Sequence, residues 1–397
     1  MRQFLPTVIG LILCTGLHAA TIAVQTQPVP NHQLHTANKT VKQPTFTPPM
    51  PPRVDIKAKA WVLMDAQSGK ILAQHNDQLR LPPASLTKLM TAYVVLQALH
   101  NGTIHLDDQV LISRAAAKTG GSRMFIRAGK RISVENLIKG MIIASSNDAT
   151  IALADHVAGT TVAFAHLMNQ TAAQLGMHHS HFVNQNGLPA KDQYVSALDM
   201  AILARALIQH FPQAYHWYST KTFTWNGIKQ RSRNRLLWTN PHVDGLKTGY
   251  TKAAQYCLVA SAKRDNMRLI GVVLGAASAN SRTIEMQKLL TYGFRFYQVK
   301  TLYKAQQTIE TVPVENGRET QVPVTVTQPI VVTIPRGRAQ QLTAKLSVNT
   351  LEAPIQAGQV VGKIHVDFHQ KPIITRDIVA QKAIAKATLW QKVKRWF

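Results

Sequence analysis

Apolar runs separated by turn-forming residues predict two β-hairpins in this chain. In the first, the strands are residues 61–65 and 71–73, on either side of a turn that contains Gly. In the second, the strands are residues 256–262 and 268–274, with residues 264–266 as the turn. Short runs rich in aliphatic and aromatic residues, bounded by Gly, Asn, Asp or Ser, are typical of hairpin strands.

The segment between the hairpins has the spacing of helices. Apolar residues recur there every three or four positions, which is the period of a helix with one buried face. The predicted helices are residues 86–99, 134–143, 149–157, 162–175 and 197–208. Strands at both ends of a region with helices between them predict an α/β (α+β) domain with an antiparallel sheet, which we place at residues 55–298.

A different pattern begins at about residue 299. The apolar runs become short and β-rich, and Pro and Gly punctuate them. The predicted strands are residues 321–327, 330–334, 344–348, 360–361 and 363–368. We therefore expect a separate, small all-β domain over residues 299–377, which carries no obvious catalytic cluster.

The C-terminal segment, residues 378–397, is predicted to be an amphipathic helix. Within residues 385–397, Leu389, Trp390 and three further apolar residues fall at helical spacing, with three lysines and one arginine between them. Such a helix can lie in a membrane interface, with its aromatic side toward the lipid and its cations toward anionic head groups. The alternative is a helix docked on its own domain, because an amphipathic face does not identify its partner.

The first residues predict export from the cytoplasm. Arg2 precedes an apolar run over residues 4–17, and small residues follow at Ala19 and Ala20, as in a cleavable signal peptide of residues 1–20. The single positive charge leaves an uncleaved anchor as the alternative. Residues 21–54 are rich in Pro, Thr, Gln and His without apolar periodicity, which indicates a disordered linker.

Charge narrows the choice of partners. The 45 Lys and Arg residues exceed the 19 Asp and Glu residues, so the formal net charge is +26 and a polyanionic partner is favoured. Nucleic acid is not expected, because the cations do not interleave with aromatic residues and no zinc-finger or basic-zipper pattern occurs. Anionic lipid head groups and acidic wall polymers fit the charge equally well.

Neither a disulfide nor a cofactor is expected. Once a signal peptide containing Cys14 is removed, Cys257 is the only cysteine left, and its apolar neighbours indicate a buried strand residue rather than a reactive thiol. His178, His179 and His181 form a cluster, but no carboxylate or Cys group accompanies them as a metal site would require.

The first candidate for chemistry is Ser85-Leu86-Thr87-Lys88, at the start of the helix predicted over residues 86–99. Residues three apart share a helix face, so the Lys88 amine can reach the Ser85 hydroxyl and act as its base. A lysine is a base near neutral pH only if its pKa falls well below about 10.4, and the apolar surroundings of this helix predict the necessary burial. The four-residue pattern alone is weak, because it also arises by chance.

Two more short motifs strengthen the hypothesis of a nucleophilic serine. Ser145-Ser146-Asn147 lies between two predicted helices, and Lys247-Thr248-Gly249 lies just before the strand that begins at residue 256. Taken separately, the first could be a helix cap and the second the end of a strand. All three motifs in this order, in an exported chain, point to one active site.

The three motifs resemble the S-x-x-K, S-x-N and K-T-G motifs of penicillin-binding proteins and serine β-lactamases. The resemblance is closest to the low-molecular-mass penicillin-binding proteins, serine-type D-alanyl-D-alanine carboxypeptidases of the penicillin-binding protein 5/6 type. It covers about residues 55 to 397. The segments that carry it outside the motifs are residues 83–88, 146–149, 225–228, 234–238 and 333–338.

The resemblance implies a D,D-carboxypeptidase that removes the terminal D-alanine from peptidoglycan pentapeptide stems at the periplasmic face of the cytoplasmic membrane. Ser85 would attack the carbonyl between the last two D-alanines and form an acyl-enzyme, with Lys88 accepting its proton. Ser145 would relay a proton to the leaving amine, and Asn147 would hold the substrate amide. β-Lactam antibiotics would be further partners, because the enzyme would be penicillin-sensitive.

The resemblance also implies how the substrate carboxylate and oxyanion are held. Lys247 and Thr248 would bind the terminal carboxylate, and Arg233 would either join them or be a surface cation. Gly249 would keep the strand edge clear for an extended peptide. The backbone N–H groups of the nucleophile and of Tyr250 would form the oxyanion hole.

Two residues depart from the family pattern, and three alternative functions are weighed from the sequence. Tyr250 and Asn186 stand where some relatives have histidine, which could alter rate or substrate preference. A D,D-endopeptidase acting on cross-linked peptides would use the same motifs. A class A β-lactamase would need a glutamate for deacylation, and residues 183–194 contain none. A non-catalytic wall-binding protein would be indicated by broken motifs, whereas all three are intact here.

Overall fold

The structure is a computed structural model that describes residues 49–348 and 350–393. The predicted signal peptide, most of the predicted linker and the last four residues of the predicted terminal helix lie outside the described residues.

The N-terminal domain combines strands and helices, as predicted. In chain order its elements are β1 (Ala60–Asp65), β2 (Ile71–His75), α1 (Thr87–His100), β3 (Gln109–Leu111), α2 (Arg114–Lys118), β4 (Arg131–Ser133), α3 (Val134–Ile143), α4 (Asn147–Ala158), α5 (Thr161–Gln174), α6 (Ala197–His210), β5 (Thr222–Trp225), β6 (Ile228–Arg231), α7 (Leu236–Thr239), β7 (Val243–Thr251), β8 (Gln255–Arg264), β9 (Met267–Ala276) and α8 (Ala279–Phe296).

The central sheet is antiparallel and is covered on both faces. Its strand order is β2-β1-β9-β8-β7, so β7 is an edge strand. Successive residues of a strand point to opposite faces, and β1 shows the consequence. Ala60, Val62 and Met64 pack in the core shared with helices α1 to α6, whereas Trp61 and Leu63 pack in the core shared with α8. The α/β (α+β) class and the antiparallel sheet are therefore confirmed.

Helix α8 is the main element of this domain that the apolar pattern did not predict. It covers the second face of the sheet through Met286, Leu289 and Leu290. However, Arg282 and Glu285 are also buried on it, and these charged residues interrupt the apolar stripe by which a helix is identified. The helix begins at an N-cap, Ser278, whose side chain accepts a hydrogen bond from the Ser281 backbone N–H.

The C-terminal domain is all-β, as predicted. Its elements are β10 (Tyr297–Tyr303), β11 (Glu310–Pro313), β12 (Gln321–Thr325), β13 (Ile330–Pro335), β14 (Leu342–Val348), β15 (Val360–Phe368), β16 (Lys371–Ala380) and, after it, α9 (Leu389–Val393). The larger sheet has the order β11-β12-β16-β15-β14, and β10 pairs with β13 in a second sheet. Aliphatic residues from both sheets form one core.

Three predicted boundaries in this region are wrong. Residues 360–361 and 363–368 form a single strand, β15. Residues 297–298, assigned to the first domain, already belong to β10 and pair with β13. The predicted helix over residues 378–397 overlaps β16, and Ile384 is still held on the β-domain by reciprocal backbone hydrogen bonds with Ile355, each 2.9 Å. Helical backbone begins only at Leu389, because the residues before it are still bridged to the β-domain, Ile384 to Ile355 and Lys386 to Gly317.

Among the described residues, no single helix is long and apolar enough to cross a membrane, although α4 and α5 together, with a bend of 84° between them, meet the criteria of length and composition.

Candidate active site

The nucleophile motif lies on a tight turn that leads into α1. Ala84 has a positive φ of 47° and starts a single 3₁₀ turn, Ala84–Leu86, which continues directly as the helix. Ser85 is half-buried at this junction, while Leu86 and Lys88 are buried in the core below it. The turn therefore presents the serine hydroxyl to solvent, with the lysine beneath.

Lys88 is held by three oxygen atoms. Its Nζ lies 3.2 Å from Ser85 Oγ, 2.6 Å from Asn147 Oδ1 and 2.7 Å from the Asn186 carbonyl oxygen. The spacing predicted the contact with Ser85. The contact with Asn186 could not be predicted, because it is made by the backbone and its own side chain instead accepts a hydrogen bond from the Leu188 N–H.

Burial changes the acidity of Lys88. The residue is only 2% exposed, and this burial, with repulsion from Arg233, lowers the pKa of its amine to about 7, although the Asp148 carboxylate opposes the shift. A low dielectric disfavours the charged form of a lysine. The neutral amine that a general base requires is therefore accessible at physiological pH.

Ser145 and Lys247 form a second pair across the cleft. Lys247 Nζ donates a hydrogen bond of 2.9 Å to Ser145 Oγ and another of 3.0 Å to the Thr248 carbonyl oxygen. Ser145 has a positive φ of 62° and lies in the turn between α3 and α4. Lys247 is 4% exposed, and burial, with repulsion from Lys88, holds its pKa well below the usual value.

Asn147 is oriented by hydrogen bonds on both sides of its amide. Its Oδ1 accepts from Lys88, and its Nδ2 donates to the Gly120 carbonyl oxygen at 2.7 Å. The preceding loop also accepts the Asn147 backbone N–H, at Ser122 O, 2.7 Å away. Asn147 therefore joins the lysine base to the loop of residues 120–126.

Asp148 fixes the loop of residues 120–126 by accepting hydrogen bonds from its backbone. Its carboxylate is fully buried and accepts from the backbone N–H groups of Met124, Phe125 and Ile126 at 3.1, 2.9 and 3.3 Å, and from its neighbour Ala149 at 2.9 Å. Sequence reasoning missed this residue, because its partners in the loop lie more than 20 positions away along the chain.

The predicted site residues converge on one cleft of about 240 Å³. Seven of them line it directly, and Lys88 and Lys247 lie buried behind its wall. The seven are Ser85, Ser145, Asn147, Arg233, Thr248, Gly249 and Tyr250. Larger cavities elsewhere in the described residues contain none of the motif residues.

Gly249 also has a structural reason that the sequence did not indicate. It lies beside the turn that carries the nucleophile, where a Cβ atom would be 3.0 Å from the Pro83 carbonyl oxygen and 3.3 Å from Ala84 Cβ. The missing side chain thus allows β7 to approach the Ser85 turn. Gly249 also lines the cleft, so the expected clear path for a peptide is compatible with this position.

Two arginines add positive charge to the cleft. Arg233 is exposed, yet it lines the cleft and its charge lowers the pKa of both Lys88 and Lys247. Arg282, which sequence reasoning missed, reaches the same cleft from α8 and donates to the Gly249 carbonyl oxygen at 3.2 Å. Its position depends on α8 packing against β8 and β9, so no local motif indicates it.

The Tyr250 side chain stands at the mouth of the cleft. It is 54% exposed and packs on Tyr256, with 4.4 Å between the ring centroids. Cys257, next in β8, is fully buried as predicted, and burial raises the pKa of its thiol to about 11. Within residues 49–348 and 350–393, no group of three or more His, Cys, Asp or Glu side chains could hold a metal ion.

We expect Gly187→Ala to destabilise the site far more than Gly102→Ala. Both glycines have positive φ, 82° and 70°, so alanine introduces backbone strain of about 1–2 kcal/mol at each. Only at Gly187 would the new Cβ overlap the nucleophile turn, at 1.8 Å from the Ala84 carbonyl oxygen, whereas nothing lies within 4 Å at Gly102. Equal losses in denaturant unfolding and in penicillin acylation would contradict this.

Comparisons with known proteins agree with this geometry. Residues 41–278 match the family described as D-alanyl-D-alanine carboxypeptidase, and residues 297–386 match the family described as Penicillin-binding protein 5, C-terminal domain. D-alanyl-D-alanine carboxypeptidase DacC of Escherichia coli (strain K12) is 44% identical over 351 residues, which cover 86% of this chain and 87% of that protein. D-alanyl-D-alanine carboxypeptidase DacF of Bacillus subtilis (strain 168) is 36% identical, covering 85% and 89%.

Solved structures show the same relationship. Penicillin binding protein 5 from Haemophilus influenzae superposes with a TM-score of 0.79 at 39% identity, covering 86% of this chain and 100% of that chain. Penicillin-binding protein D2 from Listeria monocytogenes in the ampicillin-bound form gives a TM-score of 0.57 at 33% identity, covering 61% and 99%. The chain thus belongs to the S11 family and is a serine-type, penicillin-binding D-alanyl-D-alanine carboxypeptidase.

Proposed function

We propose that Ser85 is the nucleophile of this carboxypeptidase and that Lys88 is its base. The observation that carries the proposal is the set of contacts around Lys88 Nζ. A neutral amine has two N–H donors and one lone pair, and the Asn147 Oδ1 and Asn186 carbonyl oxygens can only accept. When these two acceptors take both donors, the lone pair is left for the proton of Ser85 Oγ, 3.2 Å away.

The Ser85–Lys88 pair and the Ser145–Lys247 pair can carry out successive steps of acylation. Ser85 Oγ attacks the carbonyl carbon between the last two D-alanines as its proton passes to Lys88. The backbone N–H groups of Ser85 and Tyr250 stabilise the resulting oxyanion. The C–N bond breaks when the leaving amine receives a proton through Ser145, which Lys247 contacts at 2.9 Å. Water hydrolyses the remaining ester and releases the shortened peptide.

The terminal carboxylate of the substrate meets the positive end of the cleft. Thr248 and Arg233 line this end, and the Lys247 amine lies just behind it. A guanidinium and a hydroxyl can both donate hydrogen bonds to a carboxylate. Asn147 holds the substrate amide, and Gly249 lies on the unpaired edge of β7, along which an extended peptide can align. A β-lactam would acylate the same serine, with its carboxylate in the same place.

The test is the release of D-alanine from a synthetic pentapeptide that ends in D-Ala-D-Ala. Mass spectrometry should show loss of one alanine with the unsubstituted protein and none with Ser85→Ala, which should also fail to form a penicillin adduct. Release by Ser85→Ala would overturn the assignment of the nucleophile. A penicillin adduct without D-alanine release would instead favour an endopeptidase, and rapid turnover of the drug would favour a β-lactamase.

We also propose that the protein is exported and lies on the outer face of the cytoplasmic membrane through its C-terminal segment. The support is the exposure of two large apolar side chains at the start of α9, where Leu389 is 83% and Trp390 is 77% exposed. Exposed Trp and Leu side chains near lysines suit the interface between lipid head groups and acyl chains.

Vesicles that contain phosphatidylglycerol are expected to bind the protein, and the double substitution Leu389→Glu with Trp390→Glu should weaken binding at least about tenfold, because burial of each side chain contributes about 1.5–3 kcal/mol. Val360→Glu with Ile373→Glu is the matched control, since it adds the same charge at exposed apolar residues of β15 and β16. Equal loss of vesicle binding in both variants would contradict a specific role for α9.

A further inference from the structure

The C-terminal domain contains a cavity that the carboxypeptidase reaction does not use. Its volume is about 790 Å³, compared with about 240 Å³ for the active-site cleft. Strand β11 forms one wall, and Ala344, Leu346 and Val348 of β14 form the other. A volume of this size lies within the range of about 300–1,000 Å³ that is usual for ligand sites.

The cavity separates the two edge strands of one sheet. In the order β11-β12-β16-β15-β14, both β11 and β14 have a hydrogen-bonded neighbour on one side only. The seam is closed at one end, where the Glu315 N–H donates to the Leu351 carbonyl oxygen at 2.7 Å and the Ala353 N–H donates to the Glu315 carbonyl oxygen at 2.9 Å. Beyond this closure, β11 and β14 do not pair with each other in the described chain.

The wall formed by β14 is apolar but incompletely covered. Leu346 lies opposite Ile364 of β15, and Ala344 lies opposite Val366. The two β15 residues are fully buried, whereas Ala344 is exposed and Leu346 only half-buried. Since paired residues share a face of the sheet, the core is covered beneath β15 and left open beneath β14. An additional strand beside β14 would complete it.

Two carboxylates line the cavity. Neither Glu310 nor Glu315 forms an ion pair with any residue that the structure describes, and Glu310 only accepts from the N–H of its neighbour Thr311. The groove therefore combines an apolar wall with a negative rim, which a cationic segment would complement.

We propose that the seam between β11 and β14 binds an extended, basic segment of a partner protein as an additional strand. The segment pairs with the free edge of β14, which has seven residues and no proline. Alternate side chains of the segment are apolar and enter the cavity, and a lysine or arginine faces Glu310 or Glu315. Backbone hydrogen bonds give such complexes affinity, and the pockets for alternate side chains give them specificity.

A fluorescent octapeptide of alternating valine and lysine, acetylated at its N-terminus, is the probe. Fluorescence anisotropy should show saturable binding to the full-length protein. Leu346→Arg, which places a cation on the cavity wall, should weaken binding at least tenfold. Ser347→Arg is the matched control, because it adds the same charge to the other face of β14 and should leave binding unchanged. Glu310→Gln with Glu315→Gln should weaken binding without any change in core volume, so it tests the proposal even if Leu346→Arg does not fold.

Further measurements separate strand addition from charge attraction. Hydrogen exchange should slow in residues 342–348 when the peptide binds, but not in the edge strand β3. A valine–glutamate peptide, and a valine–lysine peptide with proline at its centre, should not bind. The proposal is overturned if no peptide binds saturably, if the proline peptide binds equally well, or if Leu346→Arg and Ser347→Arg behave alike.

Two other occupants are distinguished in the same experiments. If the protein is a dimer in analytical ultracentrifugation and only Leu346→Arg dissociates it, the occupant is a second copy and the proposal fails. It also fails if the peptide binds only after residues 21–48 are deleted, because the chain would then fill its own seam. Release of D-alanine should be unchanged in all these variants, so a result here is independent of the catalytic assignments.

Discussion

Lys88→Met is expected to slow acylation of Ser85 by about 10²–10⁴-fold, which is the usual contribution of a general base. Methionine has a similar length and fills the buried space, but it offers no lone pair of comparable basicity to the Ser85 proton. The measurement is the second-order rate of labelling by a fluorescent penicillin. Lys70→Met is the control, because burial also lowers the pKa of Lys70, which lies away from the cleft and donates to the Thr333 carbonyl oxygen. Loss of labelling in both variants would contradict a specific role for Lys88.

The lowered pKa of Lys88 predicts that the rate of acylation depends on pH. Because its pKa is about 7, acylation should rise with pH below 7 and level off above it, as the amine loses its proton. The Lys88→Met variant should lack this rise. A rate for the unsubstituted protein that stays flat between pH 5.5 and 8 would show that a different group is the base.

Stability should change with pH in a related way. The unfolded chain keeps a proton on Lys88 up to about pH 10.5, whereas the folded protein loses it above about 7. Between these values the unfolded state binds more protons, so stability rises with pH by about 1.4 kcal/mol per unit. The free energy of unfolding of the unsubstituted protein should therefore increase relative to Lys88→Met between pH 7 and 9.

Asp148→Asn is expected to lower both the stability of the protein and the rate of acylation. The carboxylate accepts four backbone N–H groups, three of them from the loop of residues 124–126. An amide replaces one acceptor oxygen with an NH₂ group that faces those donors, and each unsatisfied buried donor costs about 1–3 kcal/mol. We expect a loss of about 2–5 kcal/mol in the free energy of unfolding.

Acylation should also fall in Asp148→Asn, by tenfold or more, because the loop that Asp148 holds fixes the Asn147 amide and thereby Lys88. Asp155→Asn on the same helix is the matched control, since that carboxylate is only half-buried and, of the side chains that the structure describes, accepts from Ser113 Oγ alone. If Asp148→Asn unfolds more easily but its folded form labels at the normal rate, Asp148 is structural without positioning the site.

The part of the site that could be predicted from the sequence is the part encoded by local spacing. Ser85 and Lys88 share one turn of helix, and the other two motifs each occupy three consecutive residues. The contacts of Lys88 with Asn186 and of Asn147 with Gly120 could not be predicted, because carbonyl oxygens from distant loops supply them. A carbonyl group is common to every residue type, so no sequence pattern marks it.

The same distinction applies to the fold. The interior strands β1, β8 and β9 are buried on both faces and give continuous apolar runs. By contrast, the first seven residues of β16 are exposed or only half-buried, and they include a proline and three charged residues, so the apolar pattern predicted no strand there. Hydrogen bonding to β15 and β12 makes this segment a strand.

The buried amine of Lys247 has a thermodynamic consequence for ligand binding. In the open cleft, burial and the neighbouring cations Lys88, Arg233 and Arg282 keep its pKa well below the usual value. An anionic ligand placed beside it would favour the ammonium form, so binding should take up a proton from solution. Calorimetric titrations of a carboxylate-bearing inhibitor in buffers of different ionisation enthalpy should therefore give different heats at the same affinity. The carboxylate would then enter the cleft together with the proton that neutralises it.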